Sequence, residues 1–306
     1  MPTPSRPSER ASTAPSEASP GAQFEPRGSG RAAGEDSREA RTESIAPAEP
    51  ALEPVDLALC RSALWEALAL GFRPPADETL TRLASPEGTG ALADAAAVLD
   101  RAWGSDLASD VRRLAEPSDL GVLAASFARL FGHTARGAVP PYETEYGEDS
   151  LFQPMQEMSD LAAFYRAFGL TMATGAHERV DHITCECEFL AVLMRKEAYA
   201  LERDDGAMSE ATRQAIRVFL RDHLGRWAPA FGRKLAREDP GGFFGALGSL
   251  CANFVTQECA QAGVAAGLEF LRLRSAQHAD APMACGPAAE LLQIQSRSGR
   301  PSPRET

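Results

Sequence analysis

The 306-residue sequence predicts an all-α fold, a single helical bundle domain of about nine or ten helices between a disordered leader and a disordered tail. Three observations predict it. Ala, Leu, Arg and Glu, good helix formers, dominate the middle of the chain. Apolar residues there recur every three to four positions, as on one face of a helix. No alternating β-branched run of useful length interrupts them.

The ends read differently. Residues 1–54 hold nine of the 22 prolines and one aromatic, Phe24, among Ser, Ala, Glu, Gly and Arg. Such a segment cannot bury enough apolar surface to offset the entropy of ordering it, so it is expected to be disordered. The tail, 286–306, ends in SRSGRPSPRET and is expected to behave likewise. The folded chain is then 55–285, the size of an ordinary domain.

Within it, VDLALCRSALWEALALGF carries Leu57, Cys60, Leu64, Leu68 and Phe72 at helical spacing and is stopped by Pro74 and Pro75. Further helices are expected over 77–84, 90–103, Asp106 to Leu114, and Ser118 to Phe131 with Gly132 as its cap. Next comes a long irregular segment, HTARGAVPPYETEYGEDSLFQP; its prolines and aromatics suit a packed loop rather than disorder. QEMSDLAAFYRAFGL forms the next helix, ending at Gly169 as a left-handed cap. The longest runs from about Arg179 to Glu202, and three more fit 208–223, 226–237 and 242–274, the last with a break near Gly263 or Gly267.

The formal net charge is -12; six Arg against nine Asp and Glu in 1–54 leave about -9 for the rest. An acidic domain repels phosphate backbones, which argues against nucleic acid, and suits a basic partner segment. No run of 18 apolar residues is present, so no direct membrane insertion is expected. There is no apolar export segment, and six scattered cysteines read as reduced thiols of a cytoplasmic protein.

The stretch ERVDHITCECEFLAVLM looks like chemistry at first sight. On a helix, however, Cys185 and Cys187 point about 200° apart and cannot chelate one ion together. His182 and Glu186 share a face at i, i+4, a weak metal signal without a second pair. The alternative is that Ile183, Cys187, Leu190 and Met194 form a buried stripe. Asp181 and His182 are neighbours, diverge, and form no relay by themselves; no GxSxG elbow or phosphate loop accompanies them. Asp181 either caps the helix or belongs to an acidic, tyrosine-bearing surface with the 140–147 loop. An enzyme or metal protein using His182 and nearby carboxylates remains the competing reading.

The blocks PPYETEYG, MSDLAAFYRAFGL, ERVDHITCECEFL and FLRDHLGRWAPAFGRKL together resemble the TorD/DmsD/NarJ family of molybdoenzyme maturation chaperones, in order and spacing over roughly 55–275. The form PPYETEYG looks closest to chaperones serving the type II dimethyl-sulfoxide-reductase group. Two departures are the 54-residue leader and Val180, where many relatives have proline. The resemblance implies a helical chaperone, not an enzyme, with no tightly bound cofactor. Its implied partner is the catalytic subunit of a molybdopterin oxidoreductase, held until molybdopterin guanine dinucleotide is inserted. Many members also bind the client's twin-arginine signal peptide. On the matching motif positions, the expected docking residues are Tyr142, Glu143, Tyr146, Asp160, Tyr165, Glu178, Arg179, Asp181, His182 and Glu186. A monomer or a homodimer fits equally, and a regulatory adaptor of the same fold is a further alternative.

Overall fold

Proline at a first helical position costs nothing, because its missing N–H would have had no intrahelical acceptor. Helix α1, Pro54–Gly71, begins in this way, and so does α3, Pro86–Trp103, which the Ser85 hydroxyl caps by accepting the Gly88 N–H at 3.1 Å. The computed structural model describes residues 52–115, 119–132, 136–148, 153–173 and 178–275, and the backbone of 294–296. The expected disordered leader and tail fall almost wholly outside these residues, as does Cys285.

Among the described residues there are ten α-helices. The helix expected over 77–84 is α2, Asp77–Thr79, continued by one π-turn, Leu80–Ala84. Helix α3 starts four residues earlier than its apolar period suggested, at the Ser85 cap. Then come α4 (Leu107–Arg112), α5 (Leu120–Phe131), α6 (Gln153–Ala167), α7 (Ile183–Glu202), α8 (Gly206–Asp222), α9 (Leu224–Glu238) and α10 (Phe243–Ala262). The expected helix 242–274 ends twelve residues early. Gly263 takes φ +67, the left-handed cap, and Val264 N–H returns to Cys259 O at 2.9 Å. Beyond it, 264–275 runs without helix across the α8–α9 junction; LEFLRLR is a good helix former locally, but its contacts lie elsewhere. One short ribbon is present: β1, Leu170–Met172, antiparallel to β2, Ile294–Ser296.

Helix α1 packs along α7 and α9 along α10. Phe72, Phe131, Phe231 and Phe244 form one aromatic cluster, with centroid distances from 5.2 to 6.4 Å. Phe189 centres a second, with Phe164, Tyr165, Phe168 and Phe219. The stripe Ile183, Cys187, Leu190 and Met194 is buried as expected, but Cys185 is buried too, on the other side. Helix α7 is central, so its first turns have no solvent face. No described helix is long and apolar enough to cross a membrane.

Candidate functional site

The 136–148 segment is stitched into the protein by its backbone on both sides. Toward α7, Glu143 N–H donates to Asp181 O at 3.0 Å and Ile183 N–H to Pro141 O at 2.9 Å. Toward the C-terminal strap, Gly147 N–H donates to Arg272 O at 2.9 Å and Arg274 N–H to Glu145 O at 2.8 Å. Tyr142 thus bridges His182, and Tyr146 bridges Leu273. Gly147 sits at φ +114, a conformation glycine reaches without a Cβ penalty.

Most of the expected docking residues turn out to be interior. Tyr146 O–H donates to Pro140 O at 3.0 Å and Tyr165 O–H to Val180 O at 3.0 Å, so these two tyrosines brace the loop and the 178–182 turn. Asp181, fully buried, does not cap α7. Its Oδ2 accepts the Thr144 hydroxyl at 2.7 Å and the Arg179 guanidinium at 2.6 Å, which locks the loop to the turn. The cap is His182, whose Nδ1 accepts Thr184 N–H at 3.1 Å. Burial, with the Arg179 charge adding to it, depresses the His182 pKa to about 3, so the ring is neutral and its nitrogen stays an acceptor. That position is poor for a metal ligand, because the coordinating lone pair is occupied. Among the described residues, no group of three or more His, Cys, Asp or Glu is placed to hold an ion.

Tyr142 is half-buried; its hydroxyl donates to Glu178 Oε2 at 3.0 Å and the Arg179 guanidinium lies 4.6 Å above its ring. Burial first, and the Glu178 charge second, push the Tyr142 hydroxyl up from its usual value. Glu186 is fully buried and neither carboxylate oxygen meets a donor at hydrogen-bonding geometry. Burial, then the charges of Glu143 and Asp181, raise its pKa well above the ordinary carboxylate range; the Trp227 indole N–H offsets part of this. Burial thus favours the protonated form of Glu186, which lies inside the protein rather than on a charged surface.

The open feature beside this interior cluster is a groove of about 880 Å³. One wall is a single face of α6: Gln153, Gln156, Glu157, Asp160, Ala163, Phe164 and Ala167, at helical spacing. The other is the α8–α9 junction, with Arg221, Asp222, His223 and Arg226. Asp160 is therefore the one expected docking residue that both lines the groove and is exposed. His223 Nδ1 lies 3.2 Å from Glu143 Oε2, which joins the groove floor to the loop. Burial raises the Glu143 pKa, and His223 pulls it back. Arg226, 47% exposed at its side chain, lies 3.9 Å from Glu143 and 3.8 Å from Glu157. The reading of isolated residues missed Glu157, Arg226 and Arg274. The seven-residue stripe of α6 was the available signal, since its polar positions share the face of Phe164.

The model of the nitrate reductase delta subunit family matches residues 87–233. The chaperone protein TorD of Vibrio cholerae serotype O1 (strain M66-2) is 29% identical over 155 residues, covering 50% of this chain and 68% of the relative. The dimethyl sulfide dehydrogenase assembly chaperone protein of Rhodovulum sulfidophilum is 33% identical over 163 residues, 50% of this chain and 62% of the relative. The selenate reductase assembly chaperone protein of Thauera selenatis is 36% identical over 95 residues, 31% of this chain and 45% of the relative. All three of these relatives are chaperones or assembly chaperones. Over about half of its length, this helical chain with its ordered motif blocks is thus similar to the nitrate reductase delta subunit family and to TorD and reductase assembly chaperones.

Proposed function

We propose that this chaperone serves the catalytic subunit of a molybdopterin oxidoreductase in the cytoplasm, receiving it through the groove between α6 and the α8–α9 junction. It holds the immature subunit until molybdopterin guanine dinucleotide is inserted, and engages its twin-arginine signal peptide. The similarity to assembly chaperones of selenate, perchlorate and dimethyl sulfide enzymes supports the client class. The observation that carries the site is the groove itself. It combines an apolar strip, Ala163, Phe164 and Ala167, with the exposed carboxylate of Asp160, while Asp222 is paired with Arg221 and Glu157 with Arg274. A segment with a basic end and an apolar helical stretch needs that combination. Tyr142, Glu178 and Arg179 flank the turn that the interior cluster holds rigid, while Tyr146, Tyr165, Asp181, His182 and Glu186 support it from within.

Because Asp181 and His182 are buried, exposed groove residues test docking more cleanly. The full chain is co-expressed with the molybdopterin oxidoreductase catalytic subunit of its own genome, and both capture and client molybdenum content are measured. Asp160→Arg is expected to lower both while leaving thermal stability within about 0.5 kcal/mol, as for exposed positions. Capture and molybdenum content equal to wild type in this variant would rule the groove out. Molybdenum content independent of the chaperone would rule out the function.

A further inference from the structure

The strap 264–275 is seated at two points that the sequence prepares. In α9, Pro229 has no N–H to offer, which leaves the carbonyl four residues earlier, that of Gly225, without its helical donor. Gly267 N–H fills that gap at 2.8 Å. The approach is close: a Cβ on Gly267 would meet Arg226 O at 2.0 Å. The second point is Arg274, a buried side chain near the far end of the strap. Its Nε donates to Glu148 O at 3.0 Å, and its Nη1 to Thr144 O at 2.8 Å and to Glu157 Oε2 at 3.0 Å. Nη2 reaches Glu157 Oε1 at 3.3 Å, and the Arg274 carbonyl accepts Arg136 Nη1 at 2.8 Å.

One guanidinium therefore holds two parts of the proposed site at once: the carbonyls of the 144–148 turn and the Glu157 carboxylate of the α6 wall. Arg226 is held separately: its Nη1 donates to Asp222 O at 2.9 Å, and its guanidinium stands 3.8 Å from the Glu157 carboxylate. We infer that Arg274 is a positioning residue of the client-docking groove, fixing the loop and the α6 wall as one unit. A charged group gains most from a bidentate partner of matching geometry, which lysine cannot reproduce.

This rests on the docking reading above, so the test has two arms in the full chain. The first is hydrogen exchange without any ligand. In Arg274→Ala the amides of Tyr146 and Gly147 are expected to exchange at least about tenfold faster, with α7 and α10 unchanged. Unchanged loop protection, or equal opening of α10, overturns the positioning role. The second is titration with a synthetic peptide carrying paired arginines ahead of a leucine-rich helical stretch. Arg274→Ala and Arg274→Gln are expected to weaken binding about tenfold, and Arg274→Lys to recover part of it by keeping the charge opposite Glu157. Wild-type affinity in Arg274→Ala, or lysine no better than glutamine, overturns the inference. If wild type itself does not bind the peptide, the signal-peptide reading falls and the exchange arm alone decides the role of Arg274.

Discussion

Asp181 shows how little the identity of a residue says about its job until its neighbours are known. Its carboxylate, with no solvent access, answers the Thr144 hydroxyl and the Arg179 guanidinium. Replacing it with asparagine keeps the size but removes the charge opposite Arg179. Asp181→Asn is expected to cost about 2–3 kcal/mol in urea denaturation with unchanged far-ultraviolet circular dichroism, because a loop detaches rather than a helix. The letters DH before a helix were legible as a helix start, and the cap is one residue further on, at His182. Asp181 was not assignable from sequence, because Thr144, its partner, lies 37 residues away. His182 and Glu186 add a pH signature. The His182 pKa lies near 3 instead of its ordinary 6.5, so below about pH 6.5 the unfolded chain binds a proton that the folded one refuses. That contribution is complete above pH 6.5 and is lost on acidification, at up to about 1.4 kcal/mol per unit. Glu186 acts with the opposite sign: its raised pKa means the folded chain retains a proton that the unfolded chain releases above about 4.5. Stability is therefore expected to be nearly flat between the two and to fall toward alkaline pH. Glu143 and Glu178, also raised by burial, act with the same sign, so Glu186→Gln should reduce the alkaline fall and leave the acid one, as read from urea midpoints across that range.

At the scale of elements, the turn at Gly147 decides whether the loop can meet the strap. Gly147→Ala places a Cβ at φ +114, 3.5 Å from the Arg274 guanidinium. Such a residue is held against its preference at about 1–3 kcal/mol, and the loss should appear as a lower thermal midpoint and faster exchange at 143–148. The helices themselves were readable wherever a cap agreed with the apolar period, as at Gly132 and Gly169. They were misread where the two disagreed. The segment 242–274, expected with a break near Gly263 or Gly267, leaves the helix at Gly263 and does not resume it, and the strap beyond is held by backbone contacts to the loop and to Gly225. Local preference carried no information about those partners, which come from other parts of the chain.

Over the whole molecule, the net charge of -12 favours approach of a basic segment such as the one proposed for the groove. Association is expected to slow as salt shortens the reach of that field, while dissociation from the apolar strip of the groove changes less; stopped-flow mixing at two ionic strengths separates them. The helical class was legible from composition and apolar period, and the family resemblance from four motif blocks. The groove was not, because its walls are brought together only by the bundle. The strap adds a consequence in time. Arg274 comes after all ten helices in the order of synthesis, and domains form from the N-terminus as the chain emerges. The loop and the α6 wall are thus made long before the residue that fixes them. A chain extended only as far as Gly263 would carry all ten described helices but not the arginine that ties the 144–148 turn to the α6 wall.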